Sequence, residues 1–413
     1  MSRYIDIISI GDELLIGQVI NSNASWMGQK LSSQGMRINR MVAVADTHDA
    51  ISQALENSAR NARVVLITGG LGPTKDDLTK DVACDYFGSK LVLNEDVRDH
   101  VESFFKKRGV DLTNLNYWQA MVPDNCEVIH NAVGTAPGMY FEKDGVHYLF
   151  MPGVPMEMKS IMDTWAIPFF KKLCSPSAYV EKTVLTHGMG ESFLADKIAD
   201  WENNLPEYFS LAYLPSPGRV RLRISARGDN EANLQKELDA QIVNLKSHIE
   251  HLIFGYNNDT LEEVVGNMLL NNKATLSTAE SCTGGLIAHK ITTIPGSSQY
   301  FKGAVVAYAN EIKEKVLNVN ADDIEREGAV SETVVLQMAA NVRDLYNTDY
   351  ALAVSGIAGP DGGTDEKPVG TVWIALATPN KVVAKKYLFG GERVRNIDWS
   401  YQTALNMLRL ELL

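Results

Sequence analysis

Hydrophobic and polar positions fall into three successive patterns along the chain. Up to about residue 170, short apolar runs such as "YIDIISI" and "RVVLIT" end in glycine-containing turns and give way to helical spacing, as in "NASWMGQKLSSQG". This strand–turn–helix alternation predicts a parallel α/β sheet. Within it, "GMYFEKDGVHYLFMPG" reads as a β-hairpin turning at Lys143, Asp144 and Gly145, and "PMEMKSIMDTWAIPFFKKL" as a closing helix.

Residues 176–256 change grammar. "EKTVLTHGM" reads as a strand, "ESFLADKIADWENN" as an amphipathic helix, "FSLAYL" and "RVRLRISARG" as strands about "PSPG", and "NEANLQKELDAQIVNLKSHIEHL" as a second helix. That is a small β-α-β-β-α unit of the α+β class. Strict alternation in "RVRLRIS" places Arg219, Arg221 and Arg223 on one face, read as a solvated outer face in preference to a phosphate-binding stripe. From about residue 258, a helix in "NDTLEEVVGNMLLNN" leads to the strand "ATLSTAE". The runs "GAVVAYA", "YALAVSG" and "GTVWIALAT" supply further strands, with "SETVVLQMAANVRDLY" helical between them. The whole is an α/β multidomain chain of three unlike segments, without internal repeats.

Composition narrows the partners. A net charge of −12 disfavours general affinity for nucleic acid or anionic membrane, although a few local donors can still hold a small anion. No apolar stretch approaches the length of a membrane span, and the start carries no signal-peptide core, Asp6 interrupting the run early. Cys84, Cys126, Cys174 and Cys282 lie far apart, as expected of reduced thiols in the cytoplasm.

Candidate chemistry gathers at strand ends. In "STAESCTGGLIAHK", Ser281 falls where a strand gives way to a helix, and it is either an N-cap or a nucleophile. Gly284 and Gly285 are costly in a first helical turn unless something approaches the backbone closely, and bare N–H groups from Thr283 to Gly285 suit a phosphate or an oxyanion. Tyr308, Asn310 and Lys313 follow the next strand, where a desolvated lysine can serve as a base or simply be a surface helix residue. The loop "SGIAGPDGGTDEKPVG" places Gly356, Gly359 and Gly362 after a strand, a weak phosphate-cradle signal. In the first segment, "TGGLGPTKDDLTKD" offers Thr68, Gly69, Gly70, Gly72 and Thr74 as a second cradle. Asp76 and Asp77 either complement a helix dipole or, with Asp12 and Glu157, hold a hard divalent metal.

"TAESCTGGLIAHKI", "PGSSQYF", "VVAYANEIK", "GAVS" and "SGIAGPDGGTDEKPVGTVW" occur in the order found in the C-terminal domain of the CinA family, which resembles stand-alone nicotinamide mononucleotide (NMN) amidohydrolases. The resemblance implies hydrolysis of the NMN carboxamide to carboxylate and ammonia without a cofactor. Ser281, Tyr308 and Lys313 take the family's catalytic positions, with either Lys313 or Tyr308 as base. Arg393 in "GERVRNID" matches the first of a family arginine pair; the second is out of register, Arg395 being nearest. "GDELLIGQVINSN", "TGGLGPTKDDLTKD" and "PGVPMEM" resemble the same family's N-terminal domain, which is similar to the molybdopterin-binding MoaB and MogA proteins. The implied activity there is Mg²⁺- or Co²⁺-dependent cleavage of ADP-ribose to AMP and ribose 5-phosphate, with molybdopterin handling as the rival. The middle segment resembles the family's KH-like domain. It lacks the GXXG of RNA-binding KH domains, as expected of a spacer or dimer element. The expectation is a cytoplasmic homodimer acting on NMN and ADP-ribose. A non-enzymatic adaptor for DNA uptake or recombination is the alternative.

Overall fold

The computed structural model describes residues 4–72, 74, 77–107, 109, 117–174, 177–216 and 218–413. The chain divides into two compact units, Met1–Val180 with Arg227–Leu234, and Glu181–Ala226 with Gln235–Leu413.

The first unit is built on β1 (Tyr4–Ile10), β2 (Arg37–Val44) and β3 (Val64–Thr68). After the short antiparallel pair β4 (Leu91–Leu93) and β5 (Met121–Pro123) come β6 (Glu127–Ile129), β7 (Gly138–Lys143) and β8 (Val146–Met151). The six-stranded sheet runs β2-β1-β3-β8-β7-β6, with β2, β1, β3 and β8 parallel. The predicted hairpin is β7–β8, turning through Asp144 and Gly145 at positive φ. Every residue of β3 and β8 is buried, which is why these strands read as unbroken apolar runs. Ile5, Ile7 and Leu66 join one core cluster, whereas Ile8, Val65 and Ile67 join the other, so the period-two pleat feeds both faces. Asp6 breaks the apolar run of β1 for a reason. Fully buried, it accepts hydrogen bonds from Asn39 Nδ2 (2.9 Å) and from Arg40 Nε and Nη2 (3.2 and 2.9 Å), clasping β1 to β2.

In the second unit the middle segment forms β9 (Ala178–His187), β10 (Phe209–Ser216), β11 (Arg219–Gly228) and an unforeseen fourth strand, β12 (Ile253–Tyr256), in the order β10-β11-β9-β12. Val220, Leu222 and Ile224 are buried while Arg221 and Arg223 are exposed, as the alternation required. The third sheet comprises β13 (Leu276–Glu280), β14 (Phe301–Val306), β15 (Tyr350–Gly356), β16 (Thr371–Ala377) and β17 (Val382–Leu388), ordered β14-β13-β15-β16-β17. β14, β13 and β15 are parallel; β16 and β17 are antiparallel additions. Helices Leu261–Asn271 and Arg393–Glu411 pack against one face of this sheet, and helix Glu332–Tyr346 against the other. The carboxyl ends of β13, β14 and β15 therefore lie side by side, the edge at which open α/β sheets present their ligand sites. Among the described residues no helix is long and apolar enough to cross a membrane.

Because Asp6 holds Arg40 and Asn39 together, Asp6→Ala should destabilise the protein by about 1.5–3 kcal/mol, the scale of a charge-assisted hydrogen-bond set whose cation can partly rehydrate. Denaturant unfolding measures it; an unchanged midpoint would contradict the clasp.

Candidate active site

The site in the third sheet starts from strand register. Ser281 N–H donates to Val354 O (2.9 Å) in β15, and Ala307 N–H beyond β14 donates to Glu280 O (2.7 Å). The chain leaving β13 is thus held on both sides where Ser281 emerges. It does not enter a helix at once. Residues 281–285 form a turn, Gly284 and Gly285 take φ of +60° and +96°, and the helix spans Leu286–Thr292. Gly285 is its N-cap residue, so the capping role considered for Ser281 is ruled out. The glycines serve the left-handed turn, a conformation costly for any residue with a Cβ.

Glu280 lies at the heart of this turn and was not singled out from the sequence. Its side chain is fully buried. Oε2 accepts from the N–H groups of Gly285 (3.1 Å) and Ile287 (3.0 Å), and Oε1 from that of Ala288 (2.9 Å). Gly284 N–H is spent on Ser281 O (3.1 Å). The expectation that Gly284 and Gly285 offer bare donors is therefore corrected, since those N–H groups are satisfied internally. Thr283 N–H has no acceptor among the described residues, and Cys282 N–H none beyond its own sulfur. The Thr283 hydroxyl is likewise buried and unpartnered.

Lys313 comes from the helix Asn310–Lys315 and is 1% exposed, so it is no surface lysine. Its Nζ lies 3.1 Å from Ser281 Oγ and donates to the carbonyls of Ala307 (2.8 Å) and Tyr308 (3.4 Å). Burial lowers its pKa from the ordinary lysine value, partly offset by the neighbouring Cys282. The Tyr308 side chain is exposed, and its hydroxyl accepts from Arg393 Nη2 (3.0 Å). Arg393 Nη1 donates to Gly359 O (2.7 Å), so one guanidinium bridges the glycine loop and the turn after β14. Arg395 instead stacks over Trp399, 4.3 Å from the ring centroid. Asn396, buried and also missed from the sequence, ties the loop down by donating to Ala358 O (3.0 Å) and Gly391 O (2.8 Å). Asn310 is exposed in the first turn of its helix. Gly356 is set by packing. A Cβ there would lie 3.1 Å from Cys282 Sγ and 3.0 Å from Thr371 O. Gly359 and Gly362 both sit at positive φ in the loop.

In the first unit, a cleft of about 150 Å³ at the carboxyl edge of β1 and β3 is lined by Ser9, Asn21, Asn23, Thr68, Gly69 and Gly153, among others. Asn23 Nδ2 donates to Gly153 O (2.8 Å), while its buried Oδ1 has no partner. The expected cradle is only partly available. Gly69 N–H is used on Met151 O (3.1 Å), and Asp77 accepts from the N–H groups of Gly72 (2.9 Å) and Thr74 (3.0 Å) and from the Thr74 hydroxyl. Gly70 sits at positive φ, and a Cβ there would collide with Thr79 Oγ1. Of the four carboxylates expected to hold a divalent metal, the three that are described are each engaged elsewhere. Asp77 closes its own loop, Glu157 accepts from Asn131 Nδ2 (2.6 Å) and is pushed up in pKa by burial, and Asp12 accepts from Asp46 N–H (3.3 Å). Asp76 lies outside the described residues. Among those described, no three acidic, histidine or cysteine side chains converge to hold a metal.

Fold and site together define a multidomain α/β protein with a buried serine–lysine pair at the carboxyl edge of its third sheet. The chain belongs to the CinA family. Residues 6–172 match the probable molybdopterin binding domain, 181–255 the damage-inducible protein CinA KH domain, and 258–412 the CinA C-terminal domain. It is 45% identical over 409 residues to a CinA-like protein of Cytophaga hutchinsonii, covering 99% of this chain and 98% of that one. A CinA-like protein of Flavobacterium psychrophilum is 45% identical over 412 residues, with 98% of each chain covered. Among solved structures, the competence or damage-inducible protein from Enterobacter asburiae is 31% identical and covers 38% of this chain and 100% of its own, with a TM-score of 0.36.

Burial pushes the Cys282 thiol up to about 12, so the neighbour of Ser281 is no ready thiolate. Native protein at about pH 8 should resist iodoacetamide at Cys282, whereas unfolded protein should react at the ordinary thiol rate. Peptide mapping checks this; rapid native alkylation would return the cysteine to candidacy.

Proposed function

We propose that the C-terminal domain hydrolyses the carboxamide of nicotinamide mononucleotide, with Ser281 as nucleophile and Lys313 as base. The observation carrying this reading is the buried 3.1 Å approach of Lys313 Nζ to Ser281 Oγ. As a neutral amine, Lys313 donates its two N–H groups to the Ala307 and Tyr308 carbonyls and keeps its lone pair for the serine hydroxyl. Burial favours that neutral form.

Attack of Oγ on the amide carbon passes the serine proton to Nζ and creates a tetrahedral oxyanion. The uncommitted N–H groups of Cys282 and Thr283 are the donors nearest in the chain to the nucleophile. Collapse breaks the C–N bond as Nζ returns the proton to the leaving nitrogen, releasing ammonia and leaving an ester on Ser281. Water, deprotonated by the same amine, then cleaves the ester to nicotinate mononucleotide and restores the hydroxyl. Arg393 is an exposed cation beside Tyr308 and suits the substrate phosphate. Four free thiols accord with a reducing compartment. A non-enzymatic adaptor for DNA uptake or recombination, the alternative that the family resemblance raised, gives no reason to bury a lysine against a serine.

Ser281→Ala and Lys313→Ala should each lower ammonia release from NMN by roughly 10³-fold or more, because groups acting as a unit fail together. Only the neutral amine accepts a proton. The rate should therefore rise with pH along a limb below the ordinary lysine value of ~10.4. Full activity in either variant, or a rate that falls as pH rises toward the ordinary lysine value, would contradict the assignment.

A second reading concerns the first unit, where the unpartnered Asn23 Oδ1 beside the cleft supports the binding of a polar ligand. ADP-ribose is the substrate that the family resemblance implies, and among the described residues no cluster of acidic, histidine or cysteine side chains is placed to hold a metal beside it. Asn23→Ala should slow AMP formation from ADP-ribose by about tenfold, the worth of one or two substrate hydrogen bonds. An unchanged rate would remove Asn23 from the site.

A further inference from the structure

We infer that Glu280 is the positioning residue of the reaction, a buried carboxylate that sets the geometry of Ser281 without touching the substrate; this rests on the serine–lysine reading above. A carboxylate stripped of water needs strong donors, and Glu280 finds them within its own turn. Its two oxygens collect the N–H groups of Gly285, Ile287 and Ala288. Those donors belong to the first turn of the helix that follows the nucleophile, where backbone N–H groups otherwise lack partners. The carboxylate therefore draws the helix start back over the end of β13 and determines the path of the four residues between.

Two further contacts make that path matter for chemistry. Glu280 O accepts from Ala307 N–H, and Ala307 O in turn accepts from Lys313 Nζ. Nucleophile and base are thus referred to one residue, the serine through its chain bond to Glu280 and the lysine through Ala307. The side chain adds the third restraint by holding the turn so that Thr283 N–H has no acceptor and Cys282 N–H none beyond its own sulfur. A neutral amide at this position must turn an NH₂ group toward backbone donors and cannot serve all three. Aspartate keeps the charge but falls one methylene short.

The test uses the full-length protein. In Glu280→Gln, kcat for NMN should fall on the order of 10²-fold, the usual consequence of ångström-scale misplacement, with KM changed by less than about threefold. Glu280→Asp should fall similarly, which separates reach from charge. A merely structural role would lower the melting temperature while leaving the kcat of the folded fraction intact, and that result would overturn the inference. Should the variants fail to fold, hydrogen exchange on the wild type decides. The amides of Gly285, Ile287 and Ala288 should be protected, and exchange at the rate of an exposed turn would refute the clasp. If Ser281→Ala is inactive while Glu280→Gln keeps its kcat, only the positioning role falls. If Ser281→Ala remains active, the serine reading falls and takes this inference with it.

Discussion

The serine–lysine site of the second unit depends on one buried carboxylate. Glu280 ends the central parallel strand of its sheet, and its carboxylate is satisfied almost entirely by backbone N–H groups that follow it in the chain, those of Gly285, Ile287 and Ala288. Hydrogen bonds to an ionised acceptor are about twice as strong as neutral ones, and leaving such a charge unmatched in the interior would cost several kcal/mol. The turn therefore has little freedom. With its strand neighbours on β14 and β15, it presents Ser281 to a lysine that arrives from a different helix. The lysine's own carbonyl partners hold it as firmly. Positioning and pKa adjustment thus arise from the same feature, the dry seam along the carboxyl ends of three strands.

Much of this architecture was legible as pattern. The continuous apolar runs at "RVVLIT" and "YALAV" became buried strands, and the alternation of "RVRLRIS" became a sheet with one wet face. β2, β4, β5, β6, β12 and β17 were not read. β4, β5, β6 and β12 are only three or four residues long, and β2 and β17 contain no buried residue, so none carries a distinct apolar run. Ser281 and Lys313 were legible as candidates only because strand ends concentrate function and the family resemblance pointed at them. Their contact spans 32 positions of sequence, which no local period encodes. Glu280 escaped for a simpler reason. A glutamate at a strand end looks like a solvated residue until the fold closes over it.

The glycines teach a related lesson. Glycines after a strand suggested bare backbone donors in both units, yet many of these donors are satisfied internally: Gly285 by the Glu280 carboxylate and Gly284 by Ser281 O in one unit, Gly72 by the Asp77 carboxylate and Gly69 by Met151 O in the other. The two carboxylates differ in setting. Glu280 is sealed beneath the sheet edge, whereas Asp77 caps a loop nearer the surface. A glycine-rich turn with an acidic side chain a few residues before or after it can therefore be a self-satisfied turn instead of a phosphate cradle. In the first unit this shifts attention from the loop to the amides of Asn21 and Asn23, which line the cleft itself.

The central claim is that an ester on Ser281 intervenes between NMN and its acid. Turnover by the full-length protein in increasing hydroxylamine tests it most directly, because that nucleophile intercepts an acyl-enzyme whether or not the ester accumulates. The account predicts diversion of product from nicotinate mononucleotide to the corresponding hydroxamate, the hydroxamate-to-acid ratio rising in proportion to hydroxylamine, with NMN consumption unchanged where acylation limits the rate and faster where ester hydrolysis does. Exclusive formation of the acid at every hydroxylamine concentration, with NMN still consumed, would contradict a covalent route and with it the role assigned to Ser281.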